Sequence, residues 1–442
     1  MLCIYFTNIE IVIKMVKYLN RYLDEELDEL LEYMGAVLIV GPKWCGKTTT
    51  AKQHANSVVQ LQDPTHSKNY LKLADVDPIS LLKGEKPRLI DEWQMAPQLW
   101  DAVRFCVDER DVDGLYILTG STVVDDTKIY HSGAGRIHRL LMRPMSLYES
   151  GESNGKISLM ELFDNPDLNI NGITSDLTVP DLIFAICRGG WPESLNKKTD
   201  KQKLSIAKSY LDILCDIDTT TIDGVKRNPD KVRALLESYS RNISSFAKNT
   251  TIIADILERH GTMSEKTYYD YINVLKQLFV IDEVKAWGPK IKSKTAMRNS
   301  SKKCFIDPSI AVAALGLTPE QLLYDLEMGG HLFENLCIRD INVYSLSRGG
   351  KVLQYHDQDD LEVDCVLKID NGDYALIEFK LGSDEEEEGA SNLLKLKELI
   401  DKKRKSGDVK IPEPKFLAIV NGGKMAFTRE DGIKVIPIGC LR

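Results

Sequence analysis

The chain has 442 residues, room for two to four domains at roughly 100–200 residues each. Hydrophobic residues make up 43% and charged residues 28%, ordinary for a globular protein, and a formal net charge of −9 argues against wholesale coating of nucleic acid while allowing a local basic face. No run of about 18 apolar residues occurs, so no helical membrane span is expected; the nine cysteines, none in a Cys-x-x-Cys pair, argue against a zinc ribbon and for a reducing, cytoplasmic setting.

Residues 1–14 (MLCIYFTNIEIVIK) are apolar but interrupted by Glu10, with no basic segment before and no small-residue cleavage site after. They read as an N-terminal extension rather than a signal peptide, with Met15 the expected start. Leu19, Leu23, Leu27, Leu30 and Leu31 recur at helical spacing over 16–34. The run AVLIV at 36–40 is continuously apolar, as suits a parallel strand covered on both faces. A helix is expected from Lys47 to about Ser57, further strands at 58–61, 88–90 and 115–119, and a helix over 95–108. Strands alternating with helices predict an α/β domain built on a parallel sheet, over residues 15–195.

Between that first strand and helix lies Gly41-Pro42-Lys43-Trp44-Cys45-Gly46-Lys47-Thr48, followed by Thr49. The pattern G-x-x-x-x-G-K-[ST] is a phosphate-binding loop. Its glycines let successive backbone N–H groups wrap a phosphate, and the helix start adds a positive dipole end. Lys47 is expected to reach the β/γ-phosphates and Thr48 to place its hydroxyl on Mg²⁺, so ATP and Mg²⁺ are the expected ligands. A second carboxylate is needed at a strand end. Asp91 supplies it, and Glu92 is the candidate general base for the attacking water. Thr119 or Ser121, after the strand at 115–119, could contact the γ-phosphate or that water; an ordinary strand-end turn fits them as well. Arg136 is the candidate arginine finger, in cis or from a neighbouring copy in a homo-oligomer, against the plainer reading of a surface arginine before a strand.

Residues 150–176, rich in Gly, Asn, Asp and Ser, read as irregular or partly helical. From 196 to 316 the pattern is mainly helical. Residues 251–278 have helix–turn–helix proportions, with Gly261 in the turn. Phe279–Trp287 and Lys303–Asp307 are expected to pair as a wing hairpin. Lys290, Lys292, Lys294, Arg298, Lys302 and Lys303 lie in this region without an intervening acid, and on a wing they would meet DNA phosphates; such a region also serves as a protein contact. From about 327 strands alternate again. Glu378 and Lys380 share one face of a strand, and the Asn371-Gly372 turn should fold the Asp364 strand back beside it.

The segments GPKWCGKTTTA, LIDEWQMAPQLWD, LTGS, GRIHRLLMRPMSLYE and EVDCVLKIDNGDYALIEFKLG resemble a prokaryotic family of AAA-like P-loop ATPases that carry a C-terminal domain similar to PD-(D/E)XK nucleases. The resemblance covers nearly the whole chain from Met15. It implies an ASCE-type ATPase domain, a winged-helix middle region and a nuclease-like α/β domain at 327–442. It further implies that Glu334, Asp364 and Glu378 bind Mg²⁺ and that Lys380 positions or activates water, with DNA as partner. A nuclease-like fold without turnover, or a nucleotide-dependent switch that recruits a protein partner, fits the same residues.

Overall fold

The computed structural model describes residues 18–110, 112–121, 135–219, 224–288, 301–407 and 410–442. The extension before Met15, the alternative start itself, and Lys290, Lys292, Lys294 and Arg298 lie outside them.

Five parallel strands form the first sheet: β1 (Ala36–Val40), β2 (Ser57–Gln60), β3 (Arg88–Asp91), β4 (Tyr116–Gly120) and β5 (Ile137–Leu141), in the spatial order β2-β3-β4-β1-β5. Successive side chains of a strand point to opposite faces, and here they sort into two separate cores. Ala36 and Leu38 of β1, Ile90 of β3, and Tyr116 and Leu118 of β4 pack with Leu99, Trp100 and Val103 of the Gln98–Arg110 helix. Val37 and Ile39, Leu89 and Ile117 pack with Leu23, Leu27 and Leu30 of the Tyr22–Tyr33 helix and with Ala51 of the Lys47–His54 helix. The double covering explains why AVLIV is apolar without alternation.

The order places β4 between β1 and β3. The C-terminal ends of β1, β4 and β3 therefore stand side by side, and these ends carry the glycine loop, Ser121 and the Asp91–Glu92 pair. Ligands of open parallel sheets bind beyond such strand ends.

After β5 the chain leaves this sheet. One core runs from Leu147 through the middle helices to Leu441, and a second, between the C-terminal sheet and the Glu386–Lys405 helix, holds Val363, Leu376, Leu393 and Ile419. The segment 147–195, grouped by sequence with the first sheet, thus packs with the later regions. Ser153 donates to the Leu441 carbonyl at 2.6 Å, and Phe163 meets Phe416 edge to face.

The helices Pro229–Arg241, Asn249–His260 and Glu265–Gln277 lead into an antiparallel hairpin in which Ile281 pairs Phe305 and Val284 pairs Lys302. Its outgoing arm continues as β6 (Lys285–Ala286), which joins β7 (Lys351–His356) of the last sheet. The expected wing is thereby tied into the C-terminal sheet. That sheet has the order β11-β12-β10-β9-β8-β7-β6, with β8 (Glu362–Lys368), β9 (Tyr374–Lys380), β10 (Leu417–Asn421), β11 (Phe427–Thr428) and β12 (Lys434–Pro437). The helices Leu326–Tyr344 and Glu386–Lys405 pack against it. Among the described residues no helix is long and apolar enough to cross a membrane, and the eight described cysteines are free and buried.

Candidate functional site

Gly41 (φ +150°) and Gly46 (φ +108°) hold the loop in backbone conformations that L side chains rarely adopt, and a Cβ on Gly41 would stand 2.2 Å from the Met142 carbonyl. Lys47 is buried, with its ammonium donating to the carbonyls of Gly41 at 3.0 Å and Pro42 at 2.8 Å. Its charge therefore lies inside the turn of the loop. Cys45 is buried with its thiol toward the Met142 carbonyl, whereas Trp44 and Thr49 face outward.

Thr48 donates to Asp91 Oδ1 at 2.7 Å, and Thr119 donates to the same oxygen at 2.7 Å. Thr119 also accepts the backbone N–H of Glu92 at 3.0 Å. One hydrogen-bonded run thus joins the loop's helix, the end of β3 and the end of β4. Thr119 is wholly buried and serves this run, and Ser121, one residue past β4, is buried beside it. Glu92 sits in left-handed backbone (φ 57°), where non-glycine residues are uncommon. Its carboxylate accepts from Ser121 at 3.1 Å and from the Gln94 amide, and Gln94 also donates to Ser121 at 3.3 Å. Gln94 fits no phosphate-loop spacing and escaped sequence reading.

Arg21 is a second residue that sequence did not single out. It is buried beneath the loop, donates to the carbonyls of Cys45 at 2.9 Å and Arg143 at 2.8 Å, and pairs with Glu149 at 3.0 Å. The only local signal was its place just before the first helix. The loop's exposed side meets the middle region. Lys43 pairs with Asp218 at 2.6 Å, and Trp44 packs edge to face on Tyr210, with ring centroids 5.8 Å apart. Asp218 closes a π-helical turn, Leu214–Asp218, that continues the Asp200–Ile213 helix. Arg143, at the exit of β5, pairs with Asp282.

Arg136 needs correction as a finger acting within its own chain. It precedes β5, and its carbonyl accepts the N–H of Ala36 at the start of β1. The loop follows the other end of β1, about 13 Å away at ~3.3 Å per residue. The Arg136 guanidinium is held instead by Asp108 at 2.6 Å.

The C-terminal set is brought together, but around a different cation from the one expected. β8 and β9 form a hairpin through the turn at Gly372 (φ +92°), with Cys365 opposite Ile377, so that Asp364 and Glu378 come next in register. Phe379 N–H donates to Asp364 Oδ2 at 3.0 Å, and Lys380 lies 3.6 Å from Glu378 Oε2. In their midst stands the Lys302 ammonium, 2.5 Å from Glu334, 2.6 Å from Glu362 and 3.0 Å from Asp364. Among the described residues no group of His, Cys, Asp and Glu is arranged to hold a metal ion. Of the expected Mg²⁺ set, Glu334 and Asp364 are engaged by Lys302 and Glu378 faces Lys380, so as they stand these residues do not fit the ion, and no chemical step is assigned to a metal there.

Burial pushes Glu334 up to about 8 against the pull of Lys302, and burial also holds Glu378 well above the ordinary carboxylate range. Burial opposes ionisation of Asp364 too, but Lys302, the Phe379 amide and Lys380 together outweigh it and keep that carboxyl below its usual value. Lys303 is buried as well, on Glu283 at 2.9 Å and Asn249 at 3.1 Å. Lys302 and Lys303 thus leave the proposed phosphate-facing cluster.

Comparison with known families divides the chain in three. A model described as an AAA domain matches residues 34–151, a domain of unknown function (DUF8612) matches 179–321, and another (DUF4143) matches 329–441. No curated protein matches. Among solved structures, a Walker-type ATPase of Pyrococcus abyssi is similar at 15% identity over 66% of this chain and 94% of that one, with a TM-score of 0.41. A Drosophila ORC bound to DNA is similar at 14% identity over 63% and 89%, TM-score 0.19. A signal-transduction ATPase with numerous domains and a tetratricopeptide repeat sensor, from Pyrococcus horikoshii, is similar at 11% identity over 75% and 56%, TM-score 0.21. These likenesses are remote; the AAA match and the strand order identify the first domain as an AAA-type P-loop domain.

Proposed function

We propose that this AAA-type domain binds ATP at Gly41–Thr48 and hydrolyses it, and that the middle region reads its nucleotide state. The observation that carries hydrolysis is the run Thr48–Asp91–Thr119–Glu92, which sets a hydroxyl and two carboxylates beside the glycine loop. A hydroxyl and a carboxylate oxygen 2.7 Å apart are hard donors that suit Mg²⁺. Thr48 and Asp91 would hold that ion, whose chemistry is to neutralise charge on the phosphate oxygens. Lys47 would turn from the loop carbonyls to the β/γ-phosphates. Loop N–H groups would orient the triphosphate. Glu92, steadied by Ser121 and Gln94, would align the attacking water and accept its proton.

The switch reading draws on a separate feature. Lys43 and Trp44 belong to the loop yet contact Asp218 and Tyr210. A triphosphate in the loop would compete with Asp218 for Lys43, so ligand binding would bias the Tyr210–Asp218 stretch of the middle region. DNA association through the middle region rests on the helix–turn–helix proportions and the hairpin, without the two buried lysines.

ATP turnover by the full chain, with Mg²⁺ and with or without duplex DNA, tests all of this. Lys47→Ala should lower turnover on the order of a hundredfold or more. Near-wild-type turnover in that variant defeats the assignment. A rate raised by DNA favours the DNA-associated form, and an unchanged rate favours the switch acting on protein partners.

A further inference from the structure

We propose that Lys302 is a built-in cation that takes the place of a metal in the C-terminal carboxylate cluster, making that domain a metal-free scaffold clamped to the middle-region hairpin. An ammonium has three N–H donors and no acceptor. Its three partners here are carboxylates from two elements: Glu334 on the Leu326–Tyr344 helix, and Glu362 and Asp364 on β8. Each donor has one acceptor.

The lysine is delivered rigidly. Its backbone N–H donates to Val284 at 2.9 Å and its carbonyl accepts from Val284 at 3.1 Å, so the side chain leaves a paired strand and not a free loop. Its side chain is only 1% exposed, and the Phe246 ring lies 5.3 Å from the ammonium. Lys380, the lysine expected to serve a water, lies beside Glu378, whose other oxygen is buried without a hydrogen-bond partner. A dication bound to the same oxygens, at the 2.0–2.6 Å such ions require, would crowd and repel the ammonium. Replacing like charge by neutral space should admit the ion.

The test is Mn²⁺ binding to the nucleotide-free full chain, followed by electron paramagnetic resonance, with mass-spectrometric acetylation of lysines read in parallel. Wild type and Asp364→Asn should bind Mn²⁺ equally, because the cluster contributes nothing. Lys302→Ala should gain about one Mn²⁺ per chain, lost again in Lys302→Ala/Asp364→Asn. Lys302 in wild type should resist acetylation equally with and without Mn²⁺. The proposal is overturned if wild type loses a bound Mn²⁺ on Asp364→Asn, if Mn²⁺ exposes Lys302 to acetylation, or if a folded Lys302→Ala gains no site. Should Lys302→Ala fail to fold, the acetylation of wild type still decides.

Discussion

Thr119 shows how much one hydroxyl can organise. It donates to the Asp91 carboxylate and accepts from the Glu92 backbone, so one buried atom ties that carboxylate to the chain at Glu92. Thr119→Val keeps the shape and removes both bonds, leaving a buried N–H without its partner, a change of about 1–3 kcal/mol. Thr119 is a positioning residue and should not touch ATP. Thr119→Val should therefore lower kcat about tenfold, equivalent to ~1.4 kcal/mol, with KM for ATP unchanged, and Thr119→Ser should restore it. A rise in KM with kcat intact would contradict the role. The phosphate loop itself was readable at this scale, because its glycine and lysine spacing follows from local backbone demands. Gln94 and Arg21 were not, since what they hold lies far away in sequence.

Between elements, the loop's helix is braced against the first helix by His54. Its ring nitrogens meet Asp24 at 3.0 Å and Asp28 at 2.6 Å. The Asp24 hydrogen bond, despite opposing burial, raises His54 above its ordinary 6.5. The folded state thus binds the proton more tightly than the unfolded chain. That stabilisation is fully present below about pH 6.5 and is lost as pH rises through the higher folded value. The difference in melting temperature between wild type and His54→Gln should accordingly be largest near pH 6 and shrink toward alkaline pH. A difference that grows with pH would refute the brace. The strands of the first sheet were foreseeable from apolar runs, whereas the wing was only half so. Its pairing follows from local alternation, but β6 joins β7 because a sheet edge some 65 residues later needs a partner for its backbone groups.

At the scale of the molecule, the three regions meet on a buried ionic knot. Arg339, on the Leu326–Tyr344 helix, pairs with Asp307 at 2.8 Å and Asp340 at 2.7 Å. Asp307 accepts the N–H of Gly190 at 2.9 Å, and Asp340 accepts that of Leu147 at 2.9 Å. Gly190 has no room for a side chain, since a Cβ would stand 2.2 Å from the Met145 carbonyl. Trp191 beside it is fully buried and donates to Ser309 at 2.9 Å. Arg339→Met would leave two carboxylates buried without their cation, at a cost of about 3–5 kcal/mol. Urea unfolding of the full chain should show a correspondingly lower midpoint, and an unchanged midpoint would mean that the knot contributes little.

Sequence alone determined the parallel sheet, the glycine loop and the Asp91–Glu92 strand end, because each depends on a periodicity or spacing within a few residues. It also named the carboxylates at 334, 364 and 378. Only the tertiary structure decided which cation meets them: Lys302, read along the chain as one of a basic cluster, is carried inward by hairpin pairing to Glu334, Glu362 and Asp364. The same holds for Arg136, which an intervening strand length removes from the loop. Charge identity is written in the sequence, but which charges share a dry interior is set by packing between distant segments, where burial makes pairing compulsory.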